Sequence, residues 1–230
     1  DGENAINKLT DYDIDIVISD ILMPKMDGFE LCSYIKTDPT ICHIPVILLT
    51  AKTVAEDQME GYSRGVDLYI TKPFNPILLK IQIQNLFFNL DKRNALILEH
   101  GQAIKHEDTD INLGDNKSIE MSPLDRKFLD KLYFMIDNDI SNCDLNINEI
   151  GREMAFSRTS FYRKIKALTG ESPYGFLRTY RLNKAAELLM TQEYTISQIV
   201  DMTGFGTHSH FSACFKKQFG VSPKNYTAQK

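Results

Sequence analysis

Three short apolar runs, each ending on a polar residue of chemical use, constrain this chain most. Ile16-Val17-Ile18 runs into Ser19-Asp20, Val46–Leu49 into Thr50-Ala51, and Asp67–Thr71 into Lys72-Pro73-Phe74. Short β-branched runs bounded by turn residues read as buried strands. Helical spacings separate them. Gly2–Leu9 reads as a short helix, and Gly28–Ile35 carries Phe29, Leu31, Cys32 and Ile35 as an apolar stripe. Residues 55–64 read as a weakly amphipathic helix stopped by Gly65. From Pro76 a long helix is expected, with Ile77, Leu78, Ile81, Ile83, Leu86 and Phe87 as contacts. Strand–helix alternation implies a parallel sheet wrapped by helices.

Parallel strands deliver their carboxyl ends to one edge of the sheet. Asp20, Thr50 and Lys72 would then converge as a carboxylate, a hydroxyl and an ammonium. That set suits an acyl phosphate, with Asp20 as nucleophile and Thr50 and Lys72 contacting phosphoryl oxygens. Each residue alone is ordinary; Asp20 alone reads as a turn-forming residue at a strand end.

The 230 residues suffice for two modest domains. Charge divides between the halves. Residues 1–120 carry 11 Lys/Arg against 20 Asp/Glu, and residues 121–230 carry 15 against 11. An acidic half joined to a basic half points to nucleic-acid binding at the basic end. No apolar run is long enough to span a bilayer, and no signal peptide is expected. Cys32, Cys42, Cys143 and Cys214 have no paired metal spacing and read as free thiols of a cytosolic protein.

Residues 89–103 can prolong the long helix, and residues 106–120, polar and aperiodic, read as a flexible linker. Ser122 and Pro123 then form an N-cap and first position for a helix with Phe128, Leu129, Leu132, Met135 and Ile136 on its apolar side. Beyond it a pattern occurs twice. Residues 148–155 precede 157–165, and residues 197–204 precede 207–215, each reading as a short helix, a tight turn and a second helix. The second helix keeps two apolar residues four apart, Phe161/Ile165 and Phe211/Phe215, and a polar opposite face. That is helix-turn-helix logic, in which the second helix enters the major groove. Residues 174–190 read as one long spacer helix. Both copies close on a Gly stop followed by Ser-Pro, Gly170-Glu171-Ser172-Pro173 and Gly220-Val221-Ser222-Pro223.

Asp20 with Met23-Pro24-Lys25-Met26-Asp27-Gly28, Leu48-Leu49-Thr50-Ala51 and Lys72-Pro73-Phe74 resembles the receiver domain of two-component response regulators, over about residues 1–90. The resemblance implies a flavodoxin-like fold and makes Asp20 the phosphoacceptor, loaded by a histidine kinase domain. Thr50 and Lys72 would sense the phosphoryl group. Tyr69 would swing inward on activation; it reads equally as a half-buried strand aromatic. In that family Mg²⁺ is held by the phosphoacceptor and an acidic pair on the first strand. Here the chain begins with Asp1 near the family's second helix, and Asp11, Asp13 and Asp15 fall in or beside the wrong element. Asp20 and the backbone carbonyl of Leu22 are thus an incomplete metal site. A receiver lacking its first strands is expected to leave Ile16–Ile18 as an apolar edge, less stable and prone to self-association.

Residues 121–230 resemble the AraC-type DNA-binding domain. The resemblance rests on Arg163-Lys164-Ile165-Lys166, Gly170 and Pro173; on Arg181-Leu182, Ala185-Ala186 and Leu188-Leu189; and on Gly204-Phe205, Phe211, Phe215-Lys216-Lys217 and Gly220–Pro223. It implies an all-α domain that binds double-stranded DNA. Base contacts fall to Thr159, Tyr162 and Arg163 in the first reader and to Ser209, His210 and Ala213 in the second, with Arg158 beside the first set. Arg163 can read guanine through two hydrogen bonds or clamp a phosphate. Ala213 offers only an apolar contact, such as to a thymine methyl. Lys164, Lys166, Lys216 and Lys217 are assigned to phosphate.

The expected architecture is a partial α/β receiver (1–90), a helical extension and linker (91–120) and an all-α DNA-binding domain (121–230). The order resembles hybrid two-component sensors, which often control polysaccharide-utilisation genes. The parent would be anchored in the inner membrane, with this part in the cytoplasm and acting as a homodimer. The alternative is a free-standing response regulator whose receiver serves mainly for dimerisation. An enzyme reading, a weak autophosphatase, has no pocket motif for an external substrate behind it.

Overall fold

A computed structural model describes residues 1–51, 65–100 and 121–226. The helix expected over 55–64 and the linker expected over 106–120 lie outside the described residues. The chain divides into two units, Asp1–Asn94 with Lys105–Phe128, and Ala95–Ile104 with Leu129–Lys230.

The first unit runs α1 (Gly2–Asp11), β1 (Val17–Asp20), α2 (Gly28–Thr37), β2 (Val46–Thr50), β3 (Leu68–Thr71) and the first part of α3 (Pro76–His100). The strands form one parallel sheet in the order β1-β2-β3, with Asp20 opposite Leu49 and Thr50 opposite Thr71. In the central strand Val46, Ile47 and Leu48 are all fully buried. A parallel strand covered on both faces has to be apolar on both. Val46 and Leu48 face a core with Leu9, Phe29, Leu31 and Ile35, while Ile47 faces Ile70 and Leu86. That alternation is the strand's two-residue period. β1 lies at one edge of the sheet, with Ile18 42% exposed.

Local signals set the helix ends. Asp27 and Glu30 form a reciprocal capping box at the start of α2. The Asn75 side chain accepts from the Ile77 amide at 2.8 Å at the start of α3. A part-buried clamp closes the unit: Lys36 Nζ lies 2.7 Å from Asp67 Oδ2, and the Val46 amide donates to the same oxygen at 2.7 Å. Residues 122–128 belong to this unit. Within it the Cys42 thiol donates to Asp125 Oδ1 at 3.3 Å. Burial pulls the Arg93 guanidinium below its ordinary value, opposed by the charges of Asp125 and Asp67.

The second unit is helical: most of α4 (Pro123–Asn138), then α5 (Ile147–Glu153), α6 (Arg158–Thr169), α7 (Pro173–Thr191), α8 (Ile196–Met202), α9 (His208–Phe219) and α10 (Pro223–Tyr226). Side-chain oxygens cap α6, α7, α8 and α9, from Ser157, Ser172, Thr195 and Thr207. Gly170 and Gly220 end α6 and α9 in the left-handed conformation. Phe161, Ile165, Phe211 and Phe215 are all buried, at 1% exposure or less, as the repeated spacing predicts. Leu182, Ala185, Ala186 and Leu189 of α7 pack with Ile199, Phe205, Phe211 and Phe215 of the second copy.

Candidate functional site: a carboxylate–lysine sheet edge and two exposed helices

Asp20 ends β1, and the chain turns back so that the Gly28 amide donates to the Ile21 carbonyl at 2.8 Å. A Cβ on Gly28 would come within 2.4 Å of the Asp20 carbonyl oxygen, so only glycine lets α2 start this close to the strand end. Thr50 ends β2 and is buried to 3% exposure. Its carbonyl accepts from the Lys72 amide at 2.7 Å, which ties the residue after β3 to the end of β2. The Lys72 ammonium reaches across the edge to Asp20 Oδ1 at 2.5 Å. The register thus brings the three strand ends to one level. The Tyr69 ring is half-buried and packs against the core.

Among the described residues no group of three or more His, Cys, Asp or Glu side chains could hold a metal ion. At the edge the resemblance names only the Asp20 carboxylate and the Leu22 carbonyl as donors. Mg²⁺ requires near-octahedral oxygen coordination, and this pair does not supply it.

In the second unit both turns are built alike. Phe156 donates to the Gly151 carbonyl and Phe205 to the Val200 carbonyl, each at the same step past its helix end. The residue before each is left-handed, Ala155 at φ 64° and Gly204 at φ 68°. Thr159, Tyr162, Arg163 and Lys166 recur at intervals of three and four and share one side of α6. Arg158, Thr159, Tyr162 and Lys166 are exposed and Arg163 is half-buried. On α9, Ser209, His210, Ala213, Lys216 and Lys217 are all exposed.

Lys164 departs from the sequence expectation. It is fully buried, so this lysine is not on the surface that could meet a phosphate. The reason is spacing: Phe161, Lys164, Ile165 and Leu168 lie at i, i+3, i+4 and i+7, and all four are on the buried face. The same periodicity that identified the core pair could have found it.

Sequence reasoning also missed what Arg181 does. This α7 side chain is 8% exposed, donating to the Gly204 carbonyl at 3.0 Å and to the Asn142 carbonyl at 2.6 Å. It thereby fastens the second turn to the loop between α4 and α5. Burial lowers its pKa, and Cys143 and Asp139 oppose that shift. No short-range pattern announces such a contact.

The sheet edge with Asp20, Thr50 and Lys72 lies in one unit and the paired helix-turn-helix motifs lie in the other. The family descriptions agree: a response regulator receiver domain matches residues 1–84, and a helix-turn-helix domain matches residues 150–229. The chain belongs to the two-component response regulators, with a receiver domain and an AraC-type helix-turn-helix domain. It is 36% identical over 92% of its length to histidine kinase P4 of Formosa agariphila, and spans 15% of that protein. It is 31% identical to the probable transcriptional regulator ycf29 of Pyropia yezoensis over 68% of this chain and 67% of that one. A solved C-terminal domain of AraT, a response regulator from Geobacillus stearothermophilus, is 32% identical, with 48% of this chain and 88% of that one covered and a TM-score of 0.42.

Proposed function

We propose that the chain is the output part of a hybrid two-component sensor, turning aspartyl phosphorylation into sequence-specific binding of double-stranded DNA. Residues 1–90 act as receiver, 91–120 as connector and 121–230 as DNA-binding domain. The observation that carries the reading is the meeting of Asp20, Thr50 and Lys72 at one sheet edge, in a chain with two exposed reader helices. In the transfer step an Asp20 carboxylate oxygen attacks the phosphorus of a phosphohistidine. The new O–P bond forms as the P–N bond breaks, and the imidazole leaves with the electron pair. Lys72 and Thr50 then contact the phosphoryl oxygens, and Tyr69 responds to them. The donor is a histidine kinase domain. The resemblance to a long histidine kinase supports placing that domain in the same parent, with this part on the cytoplasmic side of the inner membrane. Among the described residues no helix is long and apolar enough to cross a membrane. The chemistry at Asp20 is a signalling transfer, not turnover of an external substrate.

The test is Asp20→Ala in the full-length parent, with promoter binding measured before and after phosphorylation. Loss of the phosphorylation-dependent difference supports the reading; binding that is phosphate-independent in both proteins overturns it. A second reading, a receiver that mainly dimerises, draws on Ile77, Leu78, Ile81 and Phe88 of α3, which are 46–69% exposed. Phosphate-independent DNA binding by a stable homodimer, measured by light scattering, would favour it.

A further inference from the structure

Residues 95–100, the end of α3, lie within the second unit, and the group that holds them there also holds the second reader helix. A helix leaves its last four carbonyls without donors of its own. In α3, which ends at His100, two of these are met by side chains. The Tyr133 hydroxyl donates to the Ile97 carbonyl at 3.2 Å, and Asn183 Nδ2 of α7 donates to the Leu98 carbonyl at 2.6 Å. Ile97 is 1% exposed, so its side chain is fully seated as well. The other end of the same amide is also used: Asn183 Oδ1 accepts from Gln218 Nε2 of α9 at 2.7 Å. One orientation of the amide satisfies both bonds, which fixes its nitrogen toward α3 and its oxygen toward α9.

Asn183 grips α9 from behind, through Gln218. Phe211, Cys214, Phe215 and Gln218 follow the i, i+3, i+4, i+7 rule, and α9 packs on α7 along that side. At 3.6 residues per turn Gln218 lies about 140° to 180° around the helix from Ala213 and Ser209. It thus lies off the Ser209–Ala213 side of the helix, about 80° around from His210. α3 begins at Pro76, four residues past Lys72 of the phosphoacceptor edge, and ends at this seat.

We propose that Asn183 is a positioning residue that couples the end of α3 to the second reader, so that a shift of α3 changes the pose of α9 on DNA. The inference rests on the reading of α6 and α9 as DNA-contacting helices. Coupling of this kind is reciprocal: DNA held by α9 must tighten the α3 seat by the same factor that the seat tightens DNA.

The experiment uses the full chain and a duplex that the wild-type chain selects from a random-sequence DNA library. Amide hydrogen exchange of residues 95–100 is followed with and without that duplex, for wild type, Asn183→Ala and Gln218→Ala. Gln218→Ala keeps the Asn183–Leu98 bond and removes only the link to α9. Because Gln218 is exposed, this variant also guards against a folding defect in Asn183→Ala. In wild type, DNA is expected to slow exchange at 95–100 by about threefold to tenfold, the worth of one net hydrogen bond. In both variants that slowing disappears, and affinity falls selectively for duplexes intact under the second reader. DNA-induced slowing that persists in Gln218→Ala, or an affinity loss equal over both half-sites, overturns the coupling while leaving DNA recognition standing. Selection of no duplex by the wild-type chain overturns the DNA reading and the coupling with it.

Discussion

The Lys72 ammonium lies 2.5 Å from Asp20 Oδ1, across a sheet edge where both side chains are about two-fifths exposed. An ion pair this open to water contributes at most about 1 kcal/mol to stability. Under the proposed function this cation lies where phosphoryl charge would develop. Lys72→Ala is expected to cut phosphotransfer to Asp20 in the parent protein by about 10²-fold, the cost of deleting one preorganised donor. The thermal midpoint should stay within about 3 °C. Phosphate-affinity electrophoresis and a melting curve of the same samples check both parts.

The two helix-turn-helix turns have the same backbone and opposite tolerance. A Cβ on Gly204 would lie 2.3 Å from the Ile140 carbonyl oxygen and 2.8 Å from the Arg181 guanidinium, on top of the left-handed strain. Gly204→Ala should cost about 2 kcal/mol or more. Ala155 already bears the strain at φ 64°. Ala155→Gly relieves it but loosens the unfolded chain, leaving a net change within about 1 kcal/mol. Urea unfolding of the two variants would refute this if their losses were similar.

Lysines near the reader helices should separate into two kinds. Lys216→Ala is expected to weaken DNA binding evenly across sequences and to reduce the slope of log affinity against log salt by about 1. Lys164→Ala, whose parent side chain is fully buried, should lower the thermal midpoint and leave that slope unchanged. Titrations of one duplex at several salt concentrations distinguish them.

Arg163→Ala tests the choice between base and phosphate. Reading of guanine predicts relaxed discrimination at one base position, by about 1–3 kcal/mol. A phosphate clamp predicts an even loss over all sequences. Competition binding with singly substituted duplexes gives the answer.

Two buried tyrosines make an alkaline prediction. Burial raises the Tyr133 pKa, with the charges of Asp130 and Asp137 adding to it. Burial raises that of Tyr180 as well, helped by its 2.6 Å hydrogen bond to Asp137. The unfolded chain ionises these phenols near pH 10 and the folded one later. Their stabilising effect is thus complete below pH 10 and is lost as pH rises beyond it. Phenolate absorbance should show two late tyrosines that ionise together with loss of helix; ionisation near pH 10 in the still-folded protein would contradict this.

Much of the architecture was legible because it is written in local spacing. The apolar run of β2, the helix stops Gly170 and Gly220, and the pairs Phe161/Ile165 and Phe211/Phe215 are all short-range features. Lys164 was misplaced because its residue type was weighed above its position on the helix. The i+3 relation to Phe161 already put it on the buried face.

By itself, then, the sequence determined the elements, their order, the strand ends that carry Asp20, Thr50 and Lys72, and the twofold helix-turn-helix repeat. Only the tertiary structure decided which distant groups meet. The Leu98 carbonyl finds Asn183 85 residues on, and Arg181 reaches Asn142 on one side and Gly204 on the other. Periodicity reports which way a side chain faces within its own helix. It carries no information about which backbone carbonyl another element brings to that face, and that depends on how whole helices pack.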